Sequence, residues 1–199
     1  LALALSAPLS LRAQAALTPD QAEARAIFEQ LIDIKTSYKE GSTSPAAHAI
    51  AQRFLDAGFP AADVHVLGPA GDKDSNVVVR MQGSSKTLKP ILLIAHLDVV
   101  EALRSDWTVD PYKLLERDGF FYGRGTSDIK GGATTIAEAL LRLKREHITP
   151  ERTLILALTA GEEGGGGYNG ISWLIANHRD LIDAEWCINP DGGDPLIKD

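Results

Sequence analysis

One histidine and several acidic residues follow apolar runs of this sequence, where they could bind a metal ion. His96 and Asp98 come directly after the run Ile91 to Ala95. If the extended conformation continues, both side chains lie on the same side, because side chains alternate along a strand. A carboxylate in that place can orient a metal-bound imidazole. The pair alone is weak evidence for a metal site, since histidines serve many other purposes.

A pair of glutamates, Glu162 and Glu163, follows the apolar run Thr153 to Thr159 and precedes four glycines. Adjacent acids usually remain in solvent. At a buried rim they would repel each other, so the pKa of at least one should rise unless a cation compensates. One glutamate could then act as a general base while its neighbour binds metal.

Two aspartates lie in turns after short apolar runs. Asp128 belongs to a Gly-rich segment after Phe120 to Tyr122, and Asp191 follows Glu185 to Ile188. Each has an ordinary alternative, because Asp128 could cap the following helix and Asp191 could belong to a Pro-Asp-Gly turn. A phosphate-binding loop fits the first segment less well, since it lacks the Walker spacing and Asp128 would repel phosphate.

The donor types at these four places favour a divalent metal. One imidazole with several carboxylates suits Zn²⁺, and Co²⁺ or Mn²⁺ would also be accepted. An aspartate can bridge two ions, and two ions that share a hydroxide can hydrolyse a carbonyl compound. None of the four places supplies a Cys or a Ser-His pair. The pattern therefore indicates metal-dependent hydrolysis.

Alternating strands and helices are expected to position these residues. The patterns predict helices from Thr18, from Ser44 to Gly58, over 132–146 and over 171–177, and strands over 64–67, 76–81, 91–95, 153–159 and 185–188. This is an α/β arrangement with a mixed, largely parallel sheet between helices. Reactive groups in such sheets gather beyond the C-terminal strand ends, so the four places should converge.

Composition limits the classes of function. With 199 residues and 44% hydrophobic residues, the chain can bury one substantial core. Its formal net charge of −7 and the absence of a Lys/Arg cluster argue against a nucleic-acid partner. Cys187 is alone, so this sequence predicts no internal disulfide.

The first residues resemble an export signal. Leu1 to Leu11 is an apolar run that leads into Arg12-Ala13-Gln14-Ala15, which is typical of a signal core and its cleavage site. The run is too short for a membrane span, although a hydrophobic first helix is the alternative. We expect residues 1–15 to be a signal-peptide remnant, residues 16–199 to be the catalytic domain, and the protein to be periplasmic or extracellular.

Four motifs together resemble the zinc metallopeptidases of metallopeptidase family twenty, which include carboxypeptidase G, succinyl-diaminopimelate desuccinylase, acetylornithine deacetylase, aminoacylase and carnosine dipeptidases. In order along the second half of the chain, the motifs are His96-Leu97-Asp98-Val99-Val100, Gly123 to Gly132, Gly161-Glu162-Glu163-Gly164 and Asn189-Pro190-Asp191-Gly192-Gly193. The resemblance implies a three-layer catalytic domain that cleaves amide bonds in peptides or N-acyl amino acids.

The resemblance also implies a role for each site residue. His96 and Asp191 would bind one zinc ion, Glu163 would bind the other, and Asp128 would bridge the two. Asp98 would hold His96 in place. Glu162 would be the general base that takes a proton from a zinc-bridging water and returns it to the leaving amine. The peptide bond between Asp128 and Ile129 would be cis.

Members of that family add a C-terminal His ligand and a lid domain that often mediates homodimer formation. We expect both to lie beyond this sequence, which would make it a truncated catalytic domain with reduced metal binding. His48, His65, His147 and His178 are expected to have surface or packing roles. Two alternatives remain open, namely a related co-catalytic zinc aminopeptidase without a lid and an inactive, metal-stabilised binding module.

Overall fold

A computed structural model describes residues 16–69, 73–164 and 167–192 of the chain. The predicted signal segment, residues 1–15, lies outside the described residues, as do Gly165 and Gly166 of the glycine run. The helices are α1 (Pro19–Asp33), α2 (Ser44–Asp56), α3 (Lys130–Arg145), α4 (Gly170–Asn177) and α5 (Arg179–Ile182). The strands are β1 (Val64–Leu67), β2 (Asn76–Met81), β3 (Ile91–His96), β4 (Leu115–Arg117), β5 (Phe120–Tyr122), β6 (Leu154–Thr159) and β7 (Trp186–Ile188).

The helix starts follow from local chemistry. The Thr18 side chain accepts the N–H group of Gln21, and the Gln21 side chain accepts the N–H group of Thr18, which together form a capping box. Pro19 occupies the first turn, where its missing N–H group costs nothing. The helix predicted from Thr18 is thereby confirmed, with its first residue at Pro19.

Five strands form one mixed sheet in the order β1-β2-β6-β3-β7. The strands β6, β3 and β7 run parallel to one another, whereas β1 and β2 pair antiparallel at the other side. The predicted α/β fold with a mixed sheet is confirmed. Strand β6 lies between β2 and β3, although it comes after both in the sequence.

Helices cover both faces of the sheet, so the domain has three layers. On one face, Val77, Val79, Leu156 and Leu158 pack against apolar residues of α1, α2 and α3. On the other face, Val78, Leu92, Ile155 and Ala157 pack against Leu174 of α4 and Ile182 of α5. This alternation explains why β2 and β6 are apolar at nearly every position, since both of their faces are buried.

One strand assignment needs correction. The prediction that all four places follow strands of one sheet is wrong for Asp128, because Phe120 to Tyr122 forms a separate two-stranded sheet with β4. Asp128 therefore reaches the site from the segment between this hairpin and α3.

Among the described residues, no helix is both long and apolar enough to cross a bilayer.

Candidate metal centre

The candidate site lies beyond the C-terminal ends of three parallel strands. His96 is paired with Thr159, so β3 and β6 end level with each other. Leu93 is paired with Ile188 of β7, and three residues further along each segment come His96 and Asp191. Parallel pairing thus brings the polar residues after all three strands to one edge of the sheet, as the sequence predicted.

His96 is oriented for metal binding by the backbone. Its ring is 2% exposed, and its Nδ1 lies 2.9 Å from the carbonyl oxygen of Asp98. A carbonyl oxygen can only accept a hydrogen bond, so Nδ1 carries the proton. In the neutral ring, Nε2 then has a free lone pair for a metal ion.

Three carboxylates surround the Nε2 atom of His96. It lies 3.1 Å from Asp128 Oδ1, 3.5 Å from Asp191 Oδ2 and 3.6 Å from Glu162 Oε2. These acids come from three separate segments of the chain, and their mutual repulsion favours a bound cation. The structure therefore brings the separate sequence motifs together around one imidazole.

Glu163 shows the electrostatic effect of this crowding. Partial burial raises the pKa of the Glu163 carboxyl group above its ordinary value, and the nearby Asp128 carboxylate raises it further. The direction of the shift agrees with the expectation for one member of the Glu162-Glu163 pair, although its main cause is burial and not repulsion by Glu162. A cation beside Glu163 would oppose both effects.

The described residues form two groups that could each hold a metal ion. One contains His96, Glu162 and Asp191, and the other contains His96, Asp128 and Glu163, with the ligand atoms of each group within 4.8 Å of one another. His96 is the only histidine in either group within the described part of the chain. Nitrogen and carboxylate oxygen donors are a suitable set for Zn²⁺.

Asp98 contacts His96, as the resemblance implied, and its backbone and side chain make different contacts. The nearest approach of its carboxylate to His96 Nδ1 is 3.6 Å, whereas its backbone carbonyl makes the hydrogen bond to that nitrogen. The carboxylate instead accepts the N–H groups of Glu162, at 3.3 Å, and Glu163, at 3.0 Å. Asp98 therefore orients His96 through its main chain and both glutamates through its side chain.

Asp128 does not cap the helix that follows it. The N-cap residue of α3 is Ile129, which has no side-chain capping bond, and the side chain of Asp128 is 64% exposed. The peptide bond between Asp128 and Ile129 is cis, as the resemblance implied.

Asp191 does belong to a turn, which was the alternative to a metal-binding role, since its N–H group donates to Asn189 Oδ1. That turn still leaves the Asp191 carboxylate facing His96.

Sequence reasoning missed Lys130, which lies two residues after Asp128. Its side chain is fully buried, and Nζ donates to the carbonyl oxygens of Leu31, at 2.8 Å, and Ile34, at 2.9 Å. Burial lowers the pKa of Lys130 to about 7, although the negative charge of Asp98 partly opposes this shift. Lys130 shares helical spacing with the buried residues Ala133 and Ala137, and this signal could have revealed it.

A cavity of about 250 Å³ adjoins the site, and its lining includes Asp98, Glu163, Thr36, Tyr38 and Tyr168. A larger groove of about 1300 Å³ lies between α1, the β4–β5 hairpin and the start of α3, but none of the six candidate residues lines it. The candidate site is therefore located by the convergence of its ligands, because the larger groove lies elsewhere. The four other histidines belong to neither metal-binding group.

Comparisons with known proteins agree with this geometry. The sequence profile described as Peptidase family M20/M25/M40 matches residues 92–198. The human N-fatty-acyl-amino acid synthase/hydrolase is 45% identical over 97 residues, which cover 48% of this chain and 19% of that protein. A probable succinyl-diaminopimelate desuccinylase of Staphylococcus aureus is 47% identical over 76 residues, which cover 37% of this chain and 19% of that protein.

The crystal structure of a metallo-carboxypeptidase of the same family from Sulfolobus solfataricus superimposes with a TM-score of 0.70. It is 21% identical, and the match covers 86% of this chain and 37% of that one. At this identity the likeness shows the fold alone. The matched segments amount to less than half of each of these relatives.

Proposed function

Because the chain belongs to Peptidase family M20/M25/M40, we propose that it is part of a metal-dependent hydrolase that cleaves an amide bond in peptides or N-acyl amino acids. The observation that carries the proposal is the position of His96 Nε2, which lies within 3.6 Å of carboxylate oxygens from Asp128, Glu162 and Asp191. An imidazole nitrogen among several carboxylates suits a divalent cation better than any ligand of negative charge.

We assign the ligands as the resemblance implies, with two Zn²⁺ ions as the resident metals. His96 and Asp191 would hold one ion, Glu163 would hold the other, and Asp128 would contact both. When bound, such a pair of ions polarises a carbonyl group and lowers the pKa of water. Asp98 fixes the relative positions of two proposed ligands, because it contacts the ring of His96 and the backbone of Glu163.

Glu162 is the group that moves the proton. Its side chain is 51% exposed and lies 3.6 Å from the proposed ligand His96, so it can reach both water and the substrate amide. It would accept a proton from the attacking water and deliver that proton to the leaving amine nitrogen. Glu163 is less accessible and lies close to Asp128, which favours the ligand role for Glu163.

Two glutamine variants test this division of roles. Glu162→Gln should retain the bound metal but lose at least about a hundredfold in kcat, the lower end of the usual contribution of a general base. Glu163→Gln should instead lower the affinity for Zn²⁺. Glu29→Gln, at an exposed position of α1, is the matched control. Equal metal affinity and equal turnover in all four proteins would contradict the proposal.

The substrate class can be determined by comparing the hydrolysis of substrates with blocked and with free amino termini. The proposed carboxypeptidase, dipeptidase or deacylase activity predicts hydrolysis of N-acyl amino acids and short peptides. A co-catalytic aminopeptidase would cleave only substrates with a free amino terminus. A metal-stabilised binding module would bind Zn²⁺ and hydrolyse neither group.

We also propose that the protein is exported, on the basis of the apolar run and small-residue motif in residues 1–15. Expression of the complete reading frame that includes residues 1–15 in a bacterial host, followed by N-terminal sequencing of the periplasmic fraction, tests this proposal. A mature amino terminus near residue 16 is expected. Recovery of the uncleaved chain from the cytoplasm alone would contradict it.

A further inference from the structure

A buried asparagine lies where the two ends of the glutamate-bearing segment meet. This segment leaves β6 at Ala160 and returns at Gly170, where α4 begins. The N–H group of Gly170 donates to the carbonyl oxygen of Ala160 at 2.7 Å, so the two ends are in direct contact. Glu162 and Glu163 follow Ala160 with only Gly161 between.

The side chain of Asn76 connects both ends of the segment to the sheet. Asn76 is the first residue of β2 and is fully buried. Its Oδ1 accepts the N–H group of Ala160 at 3.0 Å, while its Nδ2 donates to the carbonyl oxygen of Leu67 at 3.0 Å and to the hydroxyl of Tyr168 at 2.8 Å. The partners fix the amide orientation, because the Ala160 N–H group only donates and the Leu67 carbonyl only accepts.

The backbone near Asn76 is packed too closely for a side chain at position 161 or 170. A Cβ atom on Gly170 would lie 2.0 Å from Asn76 Oδ1, and a Cβ atom on Gly161 would lie 2.2 Å from the carbonyl oxygen of Tyr168. Gly161 also has a φ of +77°, a conformation that other residues rarely adopt. The start of the segment is therefore packed to contact distance, and its direction depends on the amide of Asn76.

The segment that Asn76 holds is also bonded to the candidate metal site. Asp98 accepts the N–H groups of Glu162 and Glu163, so the segment is held at the site by Asp98 and at its ends by Asn76. Tyr168 lines the same cavity as Glu163 and Asp98. We propose that Asn76 is a positioning residue, which sets the placement of Glu162 and Glu163 through its bonds to Ala160 and Tyr168. The inference rests on the proposed metal-binding function of those glutamates.

Titration with Co²⁺ alone, followed by visible absorption of the bound ion, tests the inference on the full chain. Asn76→Ala should weaken Co²⁺ binding by about tenfold or more, in the range found for residues that orient metal ligands. Tyr168→Phe removes one hydrogen bond and should weaken binding about fivefold. This milder variant keeps the test decisive if Asn76→Ala fails to fold.

Asn169→Ala is the matched control. Asn169 caps α4 by accepting the N–H group of Ser172, so the variant loses stability next to Gly170 but keeps every hydrogen bond that the Asn76 side chain makes. We expect its melting temperature to fall while its Co²⁺ affinity stays within twofold of the wild-type value. Such a result would separate a positioning role from a purely structural one.

The outcomes distinguish the two proposals. If the wild-type chain binds Co²⁺ and both Asn76→Ala and Tyr168→Phe bind it within twofold of the wild type, the positioning role is wrong and the proposed function stands. If the wild-type chain binds no Co²⁺, the proposed function fails and the inference fails with it. Weaker binding in both variants, with normal binding in Asn169→Ala, supports the inference.

Discussion

The carboxylate of Asp98 accepts the backbone N–H group of Glu163 at 3.0 Å, although the two residues belong to different strand ends. Asp98 follows β3, and Glu163 follows the parallel neighbour β6. The same carboxylate accepts the N–H group of Glu162 at 3.3 Å. The side chain of Asp98 thus positions the backbone of both glutamates beyond the strand ends. The backbone carbonyl of Asp98 accepts a hydrogen bond from the ring of His96.

Asp98→Ala should therefore weaken metal binding even though Asp98 is assigned no bond to metal. The variant leaves two N–H groups without their acceptor, so both glutamates lose their fixed positions. We expect Zn²⁺ affinity to fall by about 10- to 100-fold, as for other residues that orient ligands. Isothermal titration measures the effect, and Asp183→Ala, at an exposed position after α5, should bind as the wild type does.

Asp128 should be the least replaceable of the ligands, since it lies beside both His96 and Glu163. Asp128→Ala is expected to abolish Zn²⁺-dependent hydrolysis, measured as release of free amino acid from N-acyl substrates. Asp118→Ala, in the exposed turn of the β4–β5 hairpin, is the control. Full activity in Asp128→Ala would refute the assignment.

Removal of metal should destabilise the folded protein, because the ligands converge only in that state. At a Zn²⁺ concentration about 100 times the dissociation constant, binding contributes about 2.7 kcal/mol to the free energy of unfolding. A chelator should lower the melting temperature, and added Zn²⁺ should restore it. The shift should vanish in Asp128→Ala and persist in Asp118→Ala, and a chelator that leaves the wild-type melting temperature unchanged would argue against a metal site.

Lys130 should make stability depend on pH above neutrality. Its pKa is about 7 in the folded protein, against an ordinary value of 10.5, so the unfolded chain binds more protons between these values. The free energy of unfolding should then rise with pH, by at most about 1.4 kcal/mol per pH unit from this group. Urea unfolding of the metal-free protein between pH 7 and 9 measures the slope.

Lys130→Met is the comparison for that slope, because methionine keeps the apolar stem and removes the titrating amine. The slope between pH 7 and 9 should be smaller in the variant than in the wild type. Burial raises the pKa of Tyr168 and Cys187, so their ionisation lowers the free energy of unfolding as the pH rises. Both proteins contain these two residues, so their contributions cancel in the comparison. Identical slopes in the two proteins would contradict the lowered pKa.

The convergence of the candidate ligands was predictable from the sequence, for a definite physical reason. Three of the four apolar runs that precede candidate ligands are strands of the main sheet, and a buried strand must place its first polar residues beyond its end. His96, Glu162 and Asp191 occupy those positions, so parallel pairing was enough to bring them together. Asp128 was found by its motif, because the short apolar run before it lies in the separate hairpin and not in the main sheet.

By itself, the sequence determined the element types, the two apolar faces of the sheet and the identity of the groups that could bind metal, because these depend on local periodicity and on side-chain chemistry. Only the tertiary structure decided that β6 lies between β2 and β3, that Asp98 holds two glutamates and that Lys130 is fully buried. Those features arise from contacts between residues that are far apart in the chain, and local patterns carry no information about which distant partner is chosen.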